Sequence, residues 1–184
     1  KYNFDIQSSV DLTQASSIFA NGTSLIGVGN FKGKVTGEGE TYKIVGEADT
    51  ESLRVGGVYL KALNVAATVA GTNENYQADG TLIAQMLTFE DFKVDFLKMF
   101  GNVRGTGTDF RWVGELQTAA VKSGSLTLGG LFLSDALAEY KDRQFRAEAG
   151  NGRTQRFSLG NTEFVDLTAR NLKFSAANGA INMS

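Results

Sequence analysis

One spacing runs through the middle of this chain. Val35, Val69 and Val103 stand 34 residues apart, and so do Gly37, Gly71 and Gly105. Tyr42, Tyr76 and Phe110 keep the step, as do Gly46, Gly80 and Gly114. Ala48, Leu82 and Leu116 follow, then Leu53, Leu87 and Val121, then Val58, Phe92 and Leu126. Leu60, Val94 and Leu128 continue it, and Leu63, Leu97 and Leu131 close the unit. A chain that repeats in register builds its fold by laying one supersecondary unit against the next.

The repeat is clearest over residues 35–136 and fades at both ends. Upstream, Phe19 to Gly37 runs parallel to Leu53 to Gly71, keeping Gly22 with Gly56 and Asn30 with Asn64. Downstream, Tyr140 to Phe174 keeps strand character but loses the register. No linker, low-complexity segment or charge run interrupts the chain, so residues 1–184 read as one repetitive domain. Both ends stop inside strand pattern, which reads as an internal piece of a longer chain.

Helical repeats also use such a period, but the local alternation is that of strands. Phe110, Trp112, Gly114 and Leu116 alternate with Arg111, Val113 and Glu115. Phe92, Val94 and Phe96 alternate with Lys93, Asp95 and Leu97, and Val65, Ala67 and Val69 with Ala66 and Thr68. A period of two with aromatic and β-branched residues marks half-buried strands. Glycine- and Asn-containing turns recur at Gly37–Thr41, Gly71–Asn75 and Gly105–Asp109. Such residues tolerate the positive φ of tight hairpins. The spacing predicts about three antiparallel strands per unit; the second unit would hold Val65–Gly71, Tyr76–Gln85 and Leu87–Leu97. Gly46, Gly80 and Gly114 fall inside strands, where glycine marks a bulge or bend. A bend at one height in every unit would curl an all-β, repetitive antiparallel sheet into an elongated trough or taco with an apolar interior.

Composition removes many chemistries. The chain has no His, no Cys and no Pro, with 22 Gly and a formal net charge of -2. Without His there is no Ser-His-Asp or Cys-His nucleophile, and no His-ligated zinc or iron site. Without Cys there is no disulfide, zinc ribbon or iron–sulfur cluster. The charge balance lacks the basic footprint of a nucleic-acid binder. No apolar run reaches the ~18 residues that span a bilayer. Lys1-Tyr2-Asn3-Phe4 is not followed by the apolar core of a signal peptide.

The apolar side of the strands collects Val65, Ala67, Val69, Tyr76, Ala78, Leu82, Phe92, Val94, Phe96, Val103, Phe110, Trp112, Leu116, Leu126 and Leu128. Opposite lie Lys43, Gln77, Asp79, Lys93, Asp95, Arg111, Glu115 and Lys122. A one-sided sheet needs a cover. A helix is one option, and Ser134–Arg143, with Leu137 and Tyr140 on one side, is the best helical stretch. Closure of the sheet on itself is the second. The third is an open trough lined by these side chains and filled by a ligand with long alkyl chains. One period held over three units suits a continuous trough better than a plain sandwich core, and Phe110 and Trp112 are its foremost contact residues.

Other motifs carry less. Gly27-Val28-Gly29 and Gly105-Thr106-Gly107 lack the third glycine of a dinucleotide loop. Gly33-Lys34 lacks the upstream glycine and the hydroxyl residue of a phosphate loop. Glu47, Asp49 and Glu51 have the composition of an acid–base or calcium cluster, but the next unit holds Thr81, Ile83 and Gln85 there, so they read as a solvated, protective strand edge. Asn21-Gly22-Thr23 and Asn182-Met183-Ser184 fit the glycosylation acceptor pattern. No catalytic residue, metal ligand or cofactor site emerges.

The phrasing Gly37…Tyr42-Lys43-Ile44-Val45-Gly46, followed by Leu53-Arg54-Val55-Gly56-Gly57-Val58-Tyr59-Leu60-Lys61-Ala62-Leu63, resembles the AsmA-like group, and within it the TamB (translocation and assembly module) family of diderm bacteria. Gly124-Ser125-Leu126-Thr127-Leu128-Gly129-Gly130-Leu131 and Val165-Asp166-Leu167-Thr168-Ala169-Arg170-Asn171-Leu172 have the same cadence, so the resemblance spans about residues 30–174. It implies a taco-shaped or tubular sheet in the periplasm, anchored at the inner membrane by a helix outside this chain. It implies carriage of phospholipid or another acyl lipid toward the outer membrane, and partnership with outer-membrane assembly proteins. The family has no catalytic motif, so no catalytic residue carries over. The expectation is a non-enzymatic segment of a periplasmic lipid conduit. The rival readings are a scaffold that pairs with unfolded outer-membrane strands, and a closed β-solenoid adhesin or stalk.

Overall fold

The two-residue periodicity and the regular turns produce a meander. The computed structural model describes residues 1–15, 25–141, 144–177 and 180–183. Its strands are β1 (Tyr2–Asp11), β2 (Leu25–Ile26), β3 (Val28–Glu38), β4 (Thr41–Val55), β5 (Val58–Thr72), β6 (Asn75–Phe89), β7 (Phe92–Thr106), β8 (Asp109–Ser123), β9 (Leu126–Lys141), β10 (Gln144–Leu159), β11 (Thr162–Ala177) and β12 (Ala180–Met183). One helical turn, Leu12–Ala15, follows β1. All twelve strands form a single antiparallel sheet that is not closed into a barrel; β1 and then β3 to β12 lie in chain order, and β2 pairs with the far end of β4.

The 34-residue unit holds two long strands, not three. Strands begin at Thr41, Val58, Asn75, Phe92, Asp109 and Leu126, each 17 residues after the last. Each is 15 residues long until β9. Two-residue loops join them, and the first loop residue takes a positive φ, as at Gly39, Gly56, Asn73, Glu90, Gly107 and Gly124. The expected Gly37–Thr41, Gly71–Asn75 and Gly105–Asp109 turns are the loops at one end of the sheet. The loops at the other end are at Gly56-Gly57, Glu90-Asp91 and Gly124-Ser125, and Glu90-Asp91 falls inside the expected Leu87–Leu97 strand. Conversely, Gln85–Leu87 lies inside β6, where a strand break was expected.

That break has a physical origin. At one height in every strand from β4 to β11 the ladder skips a pair, at Glu51, Ala62, Gln85, Phe96, Ala119, Gly130, Gln155 and Asp166. On alternate strands the skipped residue is left-handed: Ala62 (φ 49°), Phe96 (φ 52°), Gly130 (φ 62°) and Asp166 (φ 51°). The side-chain alternation changes phase there, so a three-residue step joins two half-strands facing the same way. Sequence patterning reads such a phase change as a turn. Thr50 and Thr154 back this row: each hydroxyl donates to the carbonyl two residues on, Ser52 and Arg156, at 2.8 Å.

From β9 onward a second skipped column appears, at Asp135, Gly150 and Asn171. Asp135 (φ 51°) and Asn171 (φ 56°) are left-handed, and β9, β10 and β11 grow to 16 residues. Strand starts now step by 18, from Leu126 to Gln144, Thr162 and Ala180. This insertion is why the repeat loses register past Tyr140. It also makes the expected helix at Ser134–Arg143 part of β9: Ala136, Ala138 and Tyr140 share one face and Leu137 and Glu139 the other. Asp142 and Arg143 lie outside the described residues.

Gly46 and Gly80 do not mark bulges, since their pairs are unbroken; only Gly114 adjoins a register shift. They mark close approach. A Cβ on Gly46 would lie 2.6 Å from the Lys32 carbonyl oxygen, and one on Gly80 2.7 Å from the Ala67 Cβ.

Substantial contacts join only sheet neighbours, apart from the helical turn with β2. The chain exposes 11996 Å². A compact 19.7 kDa protein would expose roughly 8,600 Å². Buried apolar residues fall in two clusters on one face. Ala84, Val94, Leu97 and Val121 sit on either side of the skipped row, and Trp112, Ala136 and Ala149 nearer the Gly39 end.

Candidate functional site

Cross-strand register places the apolar residues in rows that run perpendicular to the strands. One row reads Val35-Ile44-Val69-Ala78-Val103-Trp112-Ala138. Another reads Ala48-Val65-Leu82-Met99-Leu116-Leu133. Beyond the skipped row, Leu53-Leu60-Leu87-Val94-Val121-Leu128 continues on the same face. With ~4.8 Å between strands, the ten steps from β1 to β12 extend ~48 Å.

Of the expected lining residues, Val65, Ala67, Val69, Tyr76, Ala78, Leu82, Phe92, Val94, Val103, Phe110, Trp112, Leu116, Leu126 and Leu128 share this face by register. Phe96 does not follow the alternation assigned to it. It occupies a left-handed position and is 46% exposed, while its neighbour Leu97 is 6% exposed in the buried cluster. Sequence reasoning omitted Leu63, Ala84, Leu97, Met99, Val121 and Leu131, most of them close to the skipped row. Strict alternation carried across that row puts Phe96, rather than Leu97, on the apolar face. The exact 17-residue return of Leu-rich half-strands was the available signal.

Trp112 is 8% exposed, packed with Ala136 and Ala149. It serves the fold as well as the face. Exposed apolar side chains of the same face stand near the Gly56 end of the strands, including Phe89, Phe92, Leu159 and Phe164.

At the Gly39 end, aromatic and glycine residues alternate along a row: Tyr2-Gly37-Tyr42-Gly71-Tyr76-Gly105-Phe110-Tyr140. The rings of Tyr2, Tyr42 and Tyr76 each lie over the following glycine, and Tyr2 Oη donates to the Thr41 carbonyl at 3.2 Å. A side chain on these glycines would displace the rings. Phe110 and Tyr140 stack with centroids 6.2 Å apart. Partial burial, then the neighbouring Tyr42 and Asp109, push the Tyr76 phenol above its ordinary value, so it stays a protonated donor.

The opposite face is charged and paired locally. Lys93 and Asp95 approach to 2.9 Å, and Asn30 and Asn102 amides donate to Asp49 and Asp79, each at 2.9 Å. Arg146 holds the Glu148 carboxyl below its usual range through a hydrogen bond. Glu47 and Asp49 belong to this solvated face of an interior strand rather than to an edge, and Glu51 lies in the skipped row. Among the described residues no group of three or more acidic side chains could hold a metal ion. The Asn21 acceptor pattern lies outside the described residues. No described helix is long and apolar enough to cross a membrane.

No family model, curated protein or solved structure matches this chain.

Proposed function

We propose that this chain is a segment of a periplasmic lipid conduit, with phospholipid acyl chains lying along the apolar face of the sheet as in a trough. The observation that carries the reading is the set of unbroken apolar rows across an open, single-layer sheet. Each acyl CH₂ removed from water contributes ~0.8 kcal/mol, so a few strands' width of this face holds a chain firmly. The rows repeat every two strands, so neighbouring positions are near-equivalent and a lipid can move between them without a deep trap. Aliphatic and aromatic side chains dominate these rows, which suits carriage of acyl chains. Partners would be the acyl lipid and an outer-membrane assembly protein.

The test is lipid analysis of protein produced in a bacterial periplasm and purified without detergent. Organic extraction and mass spectrometry should find phospholipid in stoichiometric amount. Trp112 is too buried to serve as a clean probe. The pair Phe89→Asp and Phe92→Asp suits better, because these side chains face the same side and are 43% and 39% exposed. That variant should keep its circular dichroism spectrum and lose most of its lipid. A well-folded wild type free of lipid would overturn the conduit and favour a scaffold that pairs with strands at its edges.

A further inference from the structure

The two faces meet at the Gly39 end of β4 to β7, around an open groove of about 680 Å³. Tyr42 and Tyr76 reach it from the apolar side, Thr72 and Asn75 from the turn, and Gln77 and Arg104 from the charged side. No carboxylate lines it. Thr106 Oγ1 donates to Asn75 Oδ1 at 2.6 Å, which leaves the Asn75 amide nitrogen to donate elsewhere. The Tyr76 hydroxyl is a further donor.

Arg104 is the one cation of the groove, and its own strand neighbours do not neutralise it. Across the ladder it faces Gln77 on one side and Arg111 on the other. Like charges directly opposite one another are unfavourable. Arg111 is offset by Glu139, directly opposite in β9, and by Glu148. Asp79, the acid nearest in register to Gln77, is engaged by Asn102. Glu74 and Asp109, next to Asn75 in the chain and opposite Thr106 in the ladder, do not line it. Arg104 makes no ion pair among the described residues.

We propose that this groove receives the phosphate of an anionic acyl lipid, with Arg104 as its charge partner and the chains passing over Tyr42 and Tyr76 onto the apolar rows. A planar guanidinium suits a phosphate because it gives two parallel charge-assisted hydrogen bonds. Gln77 and Asn75 supply neutral donors beside it. The row behind the tyrosines, Ile44, Val69, Ala78 and Val103, begins the apolar surface at once. Head and tail thus find complementary chemistry on the two sides of the groove, where the charged and apolar faces meet at the strand ends. The inference rests on the conduit reading and adds to it a preference among lipids and an orientation of the headgroup.

The experiment compares lipid classes on detergent-free wild type, Arg104→Gln and Arg104→Lys with those of the host inner membrane. Wild type should carry phosphatidylglycerol and cardiolipin at least threefold enriched over phosphatidylethanolamine. Arg104→Gln should carry lipid classes at the host's ratio, and Arg104→Lys should recover part of the enrichment. Equal ratios in wild type and Arg104→Gln, with lipid present, would overturn the headgroup site while leaving the conduit standing. Wild type without lipid would remove both. Titration with glycerol phosphate and with dihexanoyl phosphatidylglycerol, followed by NMR of the Arg104 side chain, separates the two sources of phosphate. The short-chain lipid should bind at least tenfold more tightly, and equal affinity would make the groove a free-phosphate site and overturn the lipid assignment.

Discussion

Strands β4–β8 and strands β9–β11 run the same rows through one sheet, but they relieve crowding in different ways. In the first region the row Gly46-Ala67-Gly80-Gly101-Gly114 is nearly all glycine. In the second the same row continues as Ala136-Ala149-Leu172. The larger residues begin where the extra column Asp135-Gly150-Asn171 begins, and that column lies one position away from the row. One region removes side chains so that backbones can approach. The other inserts a residue per strand, left-handed in β9 and β11, and keeps its side chains. A 17-residue step and an 18-residue step are thus two solutions to one local problem.

The strongest way to break this comparison is to remove half of the second solution. Deleting Asp135 alone moves Ala136, Ala138 and Tyr140 to the charged face, while β10 keeps its matching extra residue Gly150. A one-residue slip exchanges the two faces of a strand. Loss of cooperative unfolding in urea is the expected result. Deleting Asp135, Gly150 and Asn171 together returns all three strands to 15 residues and should restore a cooperative transition. If the triple deletion is no better than the single one, the column is not a coherent insertion.

A smaller effect is expected from putting a side chain into the first solution. In Gly114→Ala the new Cβ meets the Phe100 carbonyl and lies 2.8 Å from the Gly101 Cα. Both are backbone, so neither can rotate away, and a cost of ~3 kcal/mol follows from overpacking. Gly129→Ala is the control, because its Cβ meets only the Arg156 Cβ at 3.4 Å. That variant should change the urea midpoint little. Similar losses at both sites would mean that the glycine row reflects something other than close approach.

These elements also mark where the sequence was readable. Strand character, antiparallel order, the apolar face and the Gly39-end turns follow from alternation and from Gly and Asn at fixed places. The strand count did not. A phase change at Ala62 and Phe96 looks like a turn when read along the chain, because no glycine announces the left-handed position; only Gly130 does, one unit later. The Glu90-Asp91 turn is hidden by the same phase change, which makes Leu87–Leu97 read as one strand. The groove at Arg104 was out of reach for another reason. It joins four strands at their ends and depends on which charges lack a neighbour across the ladder, a property of register rather than of local pattern. The lipid reading drew on the apolar rows and on family resemblance.

The smallest expected effect bears on whether the skipped row is imposed by the fold or chosen by its residues. Ala62, Phe96 and Asp166 hold the same φ as Gly130 to within about a dozen degrees, although an L side chain in that region costs roughly 1–2 kcal/mol. The surrounding ladder therefore enforces the geometry. Ala62→Gly removes the strain but adds freedom to the unfolded chain, which returns about 0.5–1 kcal/mol of the gain. A net stabilisation of up to ~1 kcal/mol is expected from the urea midpoint. Gly130→Ala should do the reverse and cost ~1 kcal/mol or more, since its Cβ also meets the Gln155 side chain, whose Cδ would lie at 2.7 Å. Opposite signs at two positions two repeats apart would establish that a single backbone crease runs across both regions. Equal signs would show that each strand bends on its own account.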